Sequence, residues 1–258
     1  LVTVSDDAFT TSSATIAATA LSNIGGKTSG AVTLSNKVRL QGSQSEVATA
    51  LVGDSSVVAS KANTEARVTT AVNVNQGEEI AGVNNVQGIF ASGVSDSLNS
   101  LSTAKLNTIT GDDGDVAITV SDAAFTTSSA TLTAADLSAV GGSTTGTVTV
   151  TNAVKISGNT TQLTNTLVSS SSSVTASSAL VTVSDAAFTT SSATIAATAL
   201  SDIGGKTTGA VTVTKAVKIS GATADLTNTM VSSSSSVTAS SALVTVSDAA
   251  FTTSSATI

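Results

Sequence analysis

The chain has 258 residues, of which 40% are hydrophobic and only 2% aromatic, and it carries a formal net charge of −7. It contains no histidine and no cysteine, which excludes the usual general base at neutral pH, the thiol nucleophile and the commonest transition-metal ligands. Its 10 lysines and arginines are scattered, so no basic patch is available to follow a phosphate backbone. The composition argues against an enzyme and against a nucleic-acid-binding protein.

One sequence word recurs along the chain, as VTVSDDAF at 2–9, ITVSDAAF at 118–125, and VTVSDAAF at 181–188 and 244–251. The last three occurrences are separated by 63 residues each. A fixed period of this length is typical of stacked arrays, in which each repeat contacts mainly its neighbours. We therefore predict one continuous array over residues 1–258. Its parts are a repeat at 1–63, variant coils at 64–117, a first full repeat at 118–180, a second full repeat at 181–243 and a partial repeat at 244–258.

The first helix of the second full repeat is predicted within Ser191–Gly205. In the first full repeat, Thr133 stands three residues before Asp136, which is typical of a helix N-terminus. The pair Gly204–Gly205 predicts the helix end, because glycine readily adopts the left-handed conformation found there. The apolar face of this helix is expected to contain Ile195, Ala199, Leu200 and Ile203.

A strand and a second helix follow. Ala210–Ser220 (AVTVTKAVKIS) alternates apolar and polar residues, which predicts a strand with its valines on one face and its threonines on the other. Leu226 and Met230 lie four residues apart and predict a short helix. In the other repeats this helix opens with a capping box, at Asn159–Gln162 and at Ser43–Glu46.

Positions that differ between the two full repeats separate an interior from a surface. Apolar residues exchange only for apolar ones, which a packed interior tolerates best, whereas other positions exchange freely among polar residues. The interior pairs are Ile118/Val181, Leu132/Ile195, Val140/Ile203 and Leu167/Met230, and the surface pairs are Asn152/Lys215, Gln162/Asp225 and Ser143/Lys206.

The variant coils at 64–117 carry their own pattern. Val68–Val74 is strand-like, and Glu78–Val83 fits a helix or a turn. Ser95–Ile109 has leucines at near-helical spacing, Gly111–Asp115 (GDDGD) predicts a turn, and Val116–Val120 predicts a strand.

Each full repeat therefore contains strand, short helix, strand and short helix, with about 30 residues in each half, a length that gives parallel strands. Stacked turns of this kind form an α/β solenoid with parallel strands. The alternative is a parallel β-helix, a β-solenoid without true helices.

The best metal candidate is the GDDGD segment, where Asp112, Asp113 and Asp115 offer three carboxylates in four residues. Calcium takes oxygen ligands of this type, so calcium is the one candidate ion and no other cofactor is expected. The segment lacks both the EF-hand spacing and the nonapeptide of calcium-binding β-rolls. A solvated turn is the competing interpretation.

Two residue types recur in register. The aspartates after each VTVS word, Asp6, Asp122, Asp185 and Asp248, are expected to cap backbone amides in turns. Successive repeats are expected two coils apart, about 10 Å if coils follow the spacing of strands, which is too far for one cation to bridge. The phenylalanines of the same word are expected to stack in the core: Phe9, Phe125, Phe188 and Phe251.

Two kinds of hydroxyl-rich segment are the remaining candidates for a functional site. The words Thr147–Thr149 and Thr212–Thr214 occur once per repeat rather than on every coil, which argues against a regular hydroxyl face for ice binding. The serine runs Ser169–Ser173 and Ser232–Ser236 resemble linkers in composition. Because they recur in register, we interpret them as surface bulges between coils, with O-linked sugar as an alternative.

Three further words carry a resemblance: ITVSD at Ile118–Asp122, DSLNSL at Asp96–Leu101, and ISGATADL at Ile219–Leu226. They resemble the degenerate repeats of very large cell-surface and secreted proteins of cyanobacteria and other marine bacteria. The resemblance covers nearly the whole chain, although each motif is short. It implies an extracellular array that serves as an adhesin, surface layer or filament, and it offers no catalytic residues.

We therefore expect a structural segment of a large extracellular surface protein, acting as a stiff rod for assembly or attachment. Its expected partners are sister molecules in a homo-oligomer or filament, or other surface proteins. Neither nucleic acid nor membrane insertion of this segment is expected. The alternatives are a viral tail or capsid fibre and an ice- or glycan-binding solenoid.

Overall fold

The structure is a computed structural model that describes residues 2–8, 15–53, 57–58, 64–127, 131–190, 194–232 and 236–249. It is an α/β protein in which short helices lie between strands and the strand pairs are parallel. The predicted α/β class, parallel strands and short helices are therefore confirmed. A parallel β-helix without helices does not describe this chain.

The elements follow one another in short segments. The strands are β1 (Val2–Val4), β2 (Thr15–Ala17), β3 (Val32–Leu34), β4 (Arg39–Gly42), β5 (Val57–Val58), β6 (Thr64–Val68), β7 (Val86–Phe90), β8 (Val94–Asp96), β9 (Ile118–Val120), β10 (Leu132–Thr133), β11 (Val148–Val150), β12 (Lys155–Gly158), β13 (Val174–Thr175), β14 (Leu180–Val183), β15 (Ile195–Ala196), β16 (Val211–Val213), β17 (Lys218–Gly221), β18 (Val237–Thr238) and β19 (Leu243–Val246). The α-helices are α1 (Ala18–Gly25), α2 (Gln44–Ala48), α3 (Val74–Ala81), α4 (Thr103–Asp112), α5 (Ala134–Gly141), α6 (Thr160–Leu163), α7 (Ala197–Gly204) and α8 (Thr223–Met230). After α2 and α6 the chain continues as π-helical turns, Thr49–Gly53 and Thr164–Val168.

The chain divides into two compact units. Unit 1 comprises Leu1–Asp122 and Ala139–Thr149, and unit 2 comprises Ala123–Ser138 and Val150–Ile258. In unit 1 the sheet orders are β1-β3-β5 and β2-β4-β6-β7, so from β1 to β6 the chain alternates between two sheets. The strands β8 and β9 then pair with each other in a further sheet.

Unit 2 repeats this alternation. Its sheets are ordered β10-β12-β14-β16-β18 and β15-β17-β19, and from β14 onwards each strand lies in the sheet that the previous strand does not occupy. The chain returns to one sheet after 24 to 30 residues, as in the register pairs Ile195–Ile219 and Val181–Val211. We call the stretch from one strand to its neighbour in the same sheet a coil. Its length agrees with the predicted strand–helix unit.

Strands that are equivalent in the repeat sequence lie in different sheets of unit 2. The second full repeat contains five strands, β14 to β18, and after an odd number of alternating strands the following repeat begins in the other sheet. Accordingly β10, β12 and β14 of one sheet correspond in sequence to β15, β17 and β19 of the other. The expected separation of two coils is wrong, because one repeat spans two and a half coils.

The core consists of small aliphatic side chains. Val211 and Val213 are fully or almost fully buried while Thr212 between them is exposed, so the predicted faces are confirmed for β16. The single strand predicted over Ala210–Ser220 is wrong, because β16 and β17 are separate strands in different sheets. The interior pairs recognised from the sequence are buried or half-buried. Burying a valine, leucine or isoleucine contributes about 1.5–3 kcal/mol, which makes this layer the main source of stability.

Several local predictions need correction. Ile195 lies on β15, and α7 begins only at Ala197. Gly205 at the end of α7 has φ −68°, so the predicted left-handed conformation is wrong there. In the variant coils the strand is Thr64–Val68, and Val74 already begins α3, whereas the periodicity had predicted a strand over Val68–Val74.

Other local predictions are confirmed. The capping boxes at Ser43–Glu46 and Asn159–Gln162 are formed, and the Thr133 hydroxyl accepts a hydrogen bond from the Asp136 amide at 3.1 Å. The helix around Leu226 and Met230 forms as α8.

The predicted core ladder of phenylalanines is wrong. Phe188 is 36% exposed and Phe125 is half-buried, whereas Phe9 and Phe251 lie outside the described residues. Instead, the Lys155 ammonium lies 5.5 Å from the centre of the Phe125 ring, and the Lys218 ammonium 5.9 Å from that of Phe188. Because Lys155 and Lys218 belong to opposite sheets, these two phenylalanines have no common column in which to stack.

Candidate functional site: the contacts between successive coils

A side chain from one coil caps the start of a helix in the preceding coil. The amide of Thr160, the first residue of α6, donates to Asp185 Oδ2 at 2.7 Å, and the Thr160 hydroxyl donates to the same oxygen at 2.7 Å. The amide of Thr223, the first residue of α8, donates to both carboxylate oxygens of Asp248 at 3.1 Å. Helix starts leave such amides unsatisfied, so each cap ties two neighbouring coils together.

The same contact recurs in unit 1. The Val74 amide at the start of α3 donates to Asp96 Oδ2 at 3.3 Å. The Leu98 amide, which lies in a turn rather than at a helix start, donates to Asp122 Oδ2 at 2.7 Å. At the start of α2 the acceptor is the hydroxyl of Thr70 rather than a carboxylate. The predicted capping role is thus confirmed for Asp122, as it is for Asp185 and Asp248 in unit 2.

Sequence reasoning missed Asp96 and Thr70. The signal for Asp96 was present, because Val94–Asp96 reads VSD, the end of the recurring VTVSD word. The helix caps inside each coil had been recognised, at Asn159 and Ser43, but they satisfy later amides of the same helix. The amide of the first helical residue needs a partner from elsewhere, and the next coil supplies it.

Buried threonines make a second set of contacts between coils. The Thr207 hydroxyl donates to the Ala179 carbonyl at 2.6 Å and accepts from the Gly209 amide at 3.0 Å. A Cβ on Gly209 would lie 2.2 Å from the same Ala179 carbonyl oxygen, so only glycine permits this close approach. Thr229, which is fully buried, donates to the Ala197 carbonyl at 2.8 Å.

The GDDGD segment closes an edge of a sheet. The strand β7 pairs with β6 on one side. On its other side the Gly88 amide donates to Asp112 Oδ2 at 2.8 Å and the Phe90 amide to Asp113 Oδ2 at 2.7 Å. The two carboxylates therefore occupy places where the carbonyls of another strand would accept hydrogen bonds. An edge protected in this way does not invite pairing with another chain.

Burial perturbs both of these aspartates. Burial raises the pKa of Asp112 above its usual value, and the hydrogen bond from Gly88 opposes the shift. Burial also raises the pKa of Asp113, with further upward contributions from Asp115 and from the charge of Asp112, against the hydrogen bond from Phe90. The ionised carboxylates of Asp112 and Asp113 therefore protect this sheet edge at an electrostatic cost, which their protonation would reduce.

The calcium hypothesis for Asp112, Asp113 and Asp115 stays a prediction. One oxygen of Asp112 and one of Asp113 accept backbone hydrogen bonds, and Asp115 is exposed. Among the described residues, no three His, Cys, Asp or Glu side chains are grouped as a metal site requires.

A row of hydroxyl groups on one sheet of unit 2, which we call the hydroxyl rank, is more regular than the sequence predicted. One rank of outward-facing hydroxyls crosses every strand of the five-stranded sheet of unit 2, because β12 contributes a serine and the other strands threonines. In register order it contains Thr133, Ser157, Thr182, Thr212 and Thr238. The expectation that no regular hydroxyl face forms is wrong for this sheet, because each of its five strands has a Ser or Thr at the same register position.

The first serine run lies at the surface, and a cleft lies beside one of the capping aspartates. Ser169–Ser173 is exposed or half-buried, as expected of a surface bulge, and the Ser172 hydroxyl donates to the Thr166 carbonyl at 2.5 Å. Three residues of the second run, 233–235, lie outside the described residues. A cleft of about 360 Å³ lies beside Asp185, whose carboxylate is already engaged by Thr160.

Comparison with protein-family models, curated proteins and solved structures finds no match to this chain. Within the described residues, no helix is long and apolar enough to cross a membrane.

The cap by Asp185 is testable by substitution. Asp185→Ala leaves the Thr160 amide and hydroxyl without their acceptor, and we expect the free energy of unfolding to fall by about 1 kcal/mol. Asp185→Asn keeps an oxygen acceptor and should lose less. The exposed Asp202 is the control, because Asp202→Ala removes the same charge without a cap. Urea denaturation measures all three variants, and equal losses for Asp185→Ala and Asp202→Ala would contradict the capping role.

The edge closure predicts an unusual response to pH. Because the pKa of Asp113 is raised in the folded state, the folded protein binds a proton at this carboxyl more tightly than the unfolded chain does. The contribution of Asp113 to the free energy of unfolding therefore falls as pH rises above the usual aspartate range. Asp113→Asn keeps an acceptor for Phe90 without the charge. We therefore expect it to be at least as stable as the wild type at pH 7, with an advantage that shrinks on acidification. Asp113→Ala should lose about 1 kcal/mol, because the Phe90 amide loses its partner.

At each pH, the free energy of unfolding of the Asp113 variant is compared with that of the wild type. Glu46 and Asp248 have lowered pKa values, owing to hydrogen bonds from Ser43 and from Thr223, and their contribution is lost as pH falls. An Asp113→Asn variant that is less stable than the wild type at pH 7 would show that the charge is favourable. Added calcium provides a further readout, since a calcium site would raise the unfolding midpoint of the wild type alone.

Proposed function

We propose that the chain is a structural repeat segment of a large extracellular surface protein, an adhesin, surface layer or filament subunit. In this proposal the coils of each unit form an α/β solenoid, and the molecule acts as a stiff rod for assembly or attachment. The observation that carries the proposal is the alternation of parallel strands between two sheets, with a return to each sheet after one coil.

The contacts between coils support a mechanical role. A coil receives a cap for its helix from the next coil, as Thr160 does from Asp185, and each buried hydroxyl such as Thr207 bonds a carbonyl of a neighbouring coil. An array joined in this way has contacts mainly between nearest neighbours. Its length therefore grows with the number of repeats while its cross-section stays the same.

The chemistry of the chain supports the same assignment. Polarity comes mainly from serine and threonine, since only 10% of residues are charged, and the chain has no cysteine to mispair outside the cell. The resemblance to giant cell-surface and secreted proteins favours an extracellular location. Partners would then be sister molecules or other surface proteins. We propose no catalytic role, and the viral-fibre alternative stays a prediction.

The rod is testable by changing the number of repeats. Deleting 118–180 joins Ala117 to Val181 and replaces ITVSDAAF by VTVSDAAF, so every strand and cap keeps an equivalent neighbour. Two and a half coils at about 4.8 Å per strand predict that the molecule becomes about 12 Å shorter. Small-angle X-ray scattering measures the maximum dimension and the cross-section separately.

The matched variant carries a duplicate of 181–243. It should be longer by the same increment, with an unchanged radius of gyration of the cross-section. Constant length with a widening cross-section would refute a rod, as would a deletion variant that no longer unfolds cooperatively.

The hydroxyl rank favours ice binding as a second candidate. Thr212 and Thr238 are exposed and their register places them on adjacent strands, about 4.8 Å apart. If the rank binds ice, the chain should inhibit ice recrystallisation and Thr212→Lys should abolish the effect, because a long charged side chain disrupts the flat face. Lys215→Thr, which changes an exposed residue outside the rank, is the control. Absence of inhibition by the wild type would eliminate this candidate.

A further inference from the structure

The peptide bond between Asp113 and Gly114 is the only one in the chain that joins an aspartate or an asparagine to a following glycine. At an aspartate, the nitrogen of the next residue can attack the side-chain carboxyl carbon, and a glycine has no Cβ to obstruct the approach. Asp113 lies just beyond α4, with φ −128° and ψ 76°. The bond is therefore outside the regular hydrogen-bonded geometry of the helix.

The attacking nitrogen of Gly114 is available. Gly114 is exposed, and its amide donates no hydrogen bond within the part of the chain that the structure describes. Its carbonyl, in contrast, accepts hydrogen bonds from the Thr145 amide at 2.9 Å and from the Thr145 hydroxyl at 3.1 Å. The glycine is thus held next to Asp113 while its nitrogen stays unengaged.

The carboxyl group of Asp113 lies in surroundings that favour its reactive form. Only a protonated carboxyl can lose its hydroxyl as water, since an ionised carboxylate has no comparable leaving group. Burial raises the pKa of Asp113, and contact with Asp115 and the charge of Asp112 raise it further, against the hydrogen bond from the Phe90 amide. Asp113 therefore keeps its proton to a higher pH than an exposed aspartate does.

We propose that Asp113 is a site of spontaneous covalent rearrangement in the folded protein, through a succinimide to isoaspartate. The Gly114 nitrogen forms a bond to Asp113 Cγ, the amide proton passes to solvent, and the carboxyl hydroxyl leaves as water. One water then opens the ring. Its attack at Cγ restores aspartate. Its attack at the main-chain carbonyl carbon gives isoaspartate, in which the chain runs through Cβ and Cγ and the former main-chain carbonyl is the free carboxylate.

The product changes the closure of the sheet edge. Asp113 Oδ2 accepts a hydrogen bond from the Phe90 amide of β7 at 2.7 Å, whereas in isoaspartate Cγ belongs to the main chain, which is longer by one carbon. Because Thr145 holds the other side of this segment, we expect the Phe90 amide to lose its acceptor. An opened strand edge is a site for pairing with another chain. This modification goes beyond the proposed structural function and does not depend on it.

The test follows isoaspartate in the folded full chain during incubation at physiological temperature and pH. Isoaspartate and aspartate have equal mass, so proteolytic peptides are separated by chromatography and the position is assigned by electron-transfer fragmentation. We expect isoaspartate to accumulate at Asp113 well above Asp112 and Asp115, which precede residues with side chains. Equal amounts at Asp113 and Asp115 overturn the proposal.

The matched variant is Gly114→Ala. A Cβ on Gly114 would lie 3.6 Å from the Thr110 carbonyl oxygen, which is an ordinary contact, so the fold should be retained and circular dichroism checks it. The added methyl group obstructs the attack on Cγ, and we expect isoaspartate to form about tenfold more slowly than in the wild type. Equal rates in the two proteins would overturn the proposal, because the Gly114 nitrogen is its nucleophile.

Two further measurements test the role of the fold. The wild type kept unfolded in urea gives the rate in the absence of structure. Isoaspartate that forms there but not in the folded protein overturns the proposal, since the contacts with Phe90 and Thr145 would then protect the bond. After ageing, the urea midpoint of the wild type should fall while that of Gly114→Ala stays constant. A constant wild-type midpoint despite accumulated isoaspartate would overturn the predicted opening of the edge.

Discussion

The hydrogen bond from the first amide of a helix to a side chain of the next coil is the contact on which the architecture depends. A helix of four to eight residues, such as α6 or α8, has little stability of its own, because nucleation is costly and few turns follow. Its unsatisfied first amide would also add a penalty if buried. Asp185 and Asp248 remove that penalty from outside the helix. Each coil is therefore complete only when its successor is folded, which makes the coils cooperative.

Polar groups join the coils through hydrogen bonds more than through ion pairs. Arg39 and Glu65, on adjacent strands, form one close pair at 2.6 Å, yet most of the contacts between coils use hydroxyls, backbone amides and carbonyls. Thr207 illustrates the arrangement, since its hydroxyl both donates to and accepts from backbone groups. Such bonds are short-range and little affected by salt, in contrast to surface ion pairs, which salt weakens. A Ser/Thr-rich chain with few charges can be stable in this way.

Local periodicity predicted the elements of a repeat because strand and helix patterns are properties of short segments. The buried valines of Val211–Val213 and the capping box at Asn159 are confirmed. The sequence did not predict how many strands a repeat contains, since two-residue strands such as β15 have no period to detect. Two strands were predicted in each repeat and the second full repeat has five, so the count changed from even to odd. This change moved equivalent residues to opposite sheets, and the predicted stacking of Phe125 on Phe188 failed for that reason.

The candidate site was predictable only where its signal was local. Asp185 was expected to cap an amide, but its partner lies 25 residues away, and nothing in the neighbouring sequence identifies Thr160. The same limit applies to Asp112 and Asp113. Clustered carboxylates favour calcium on chemical grounds, whereas their contacts with Gly88 and Phe90 depend on β7 being the last strand of its sheet.

The odd number of strands in a repeat restricts how this sequence can evolve. In unit 2 the words of β12 and β17 are identical, KISG, and they lie in different sheets. Every residue of a duplicated segment must therefore suit both sides of the molecule, including the Lys155–Phe125 pair on one and the Lys218–Phe188 pair on the other. If selection favoured a ligand-binding site on one sheet only, the sequences of alternate repeats would diverge. The near-identity of the two full repeats is therefore consistent with similar requirements on both sheets.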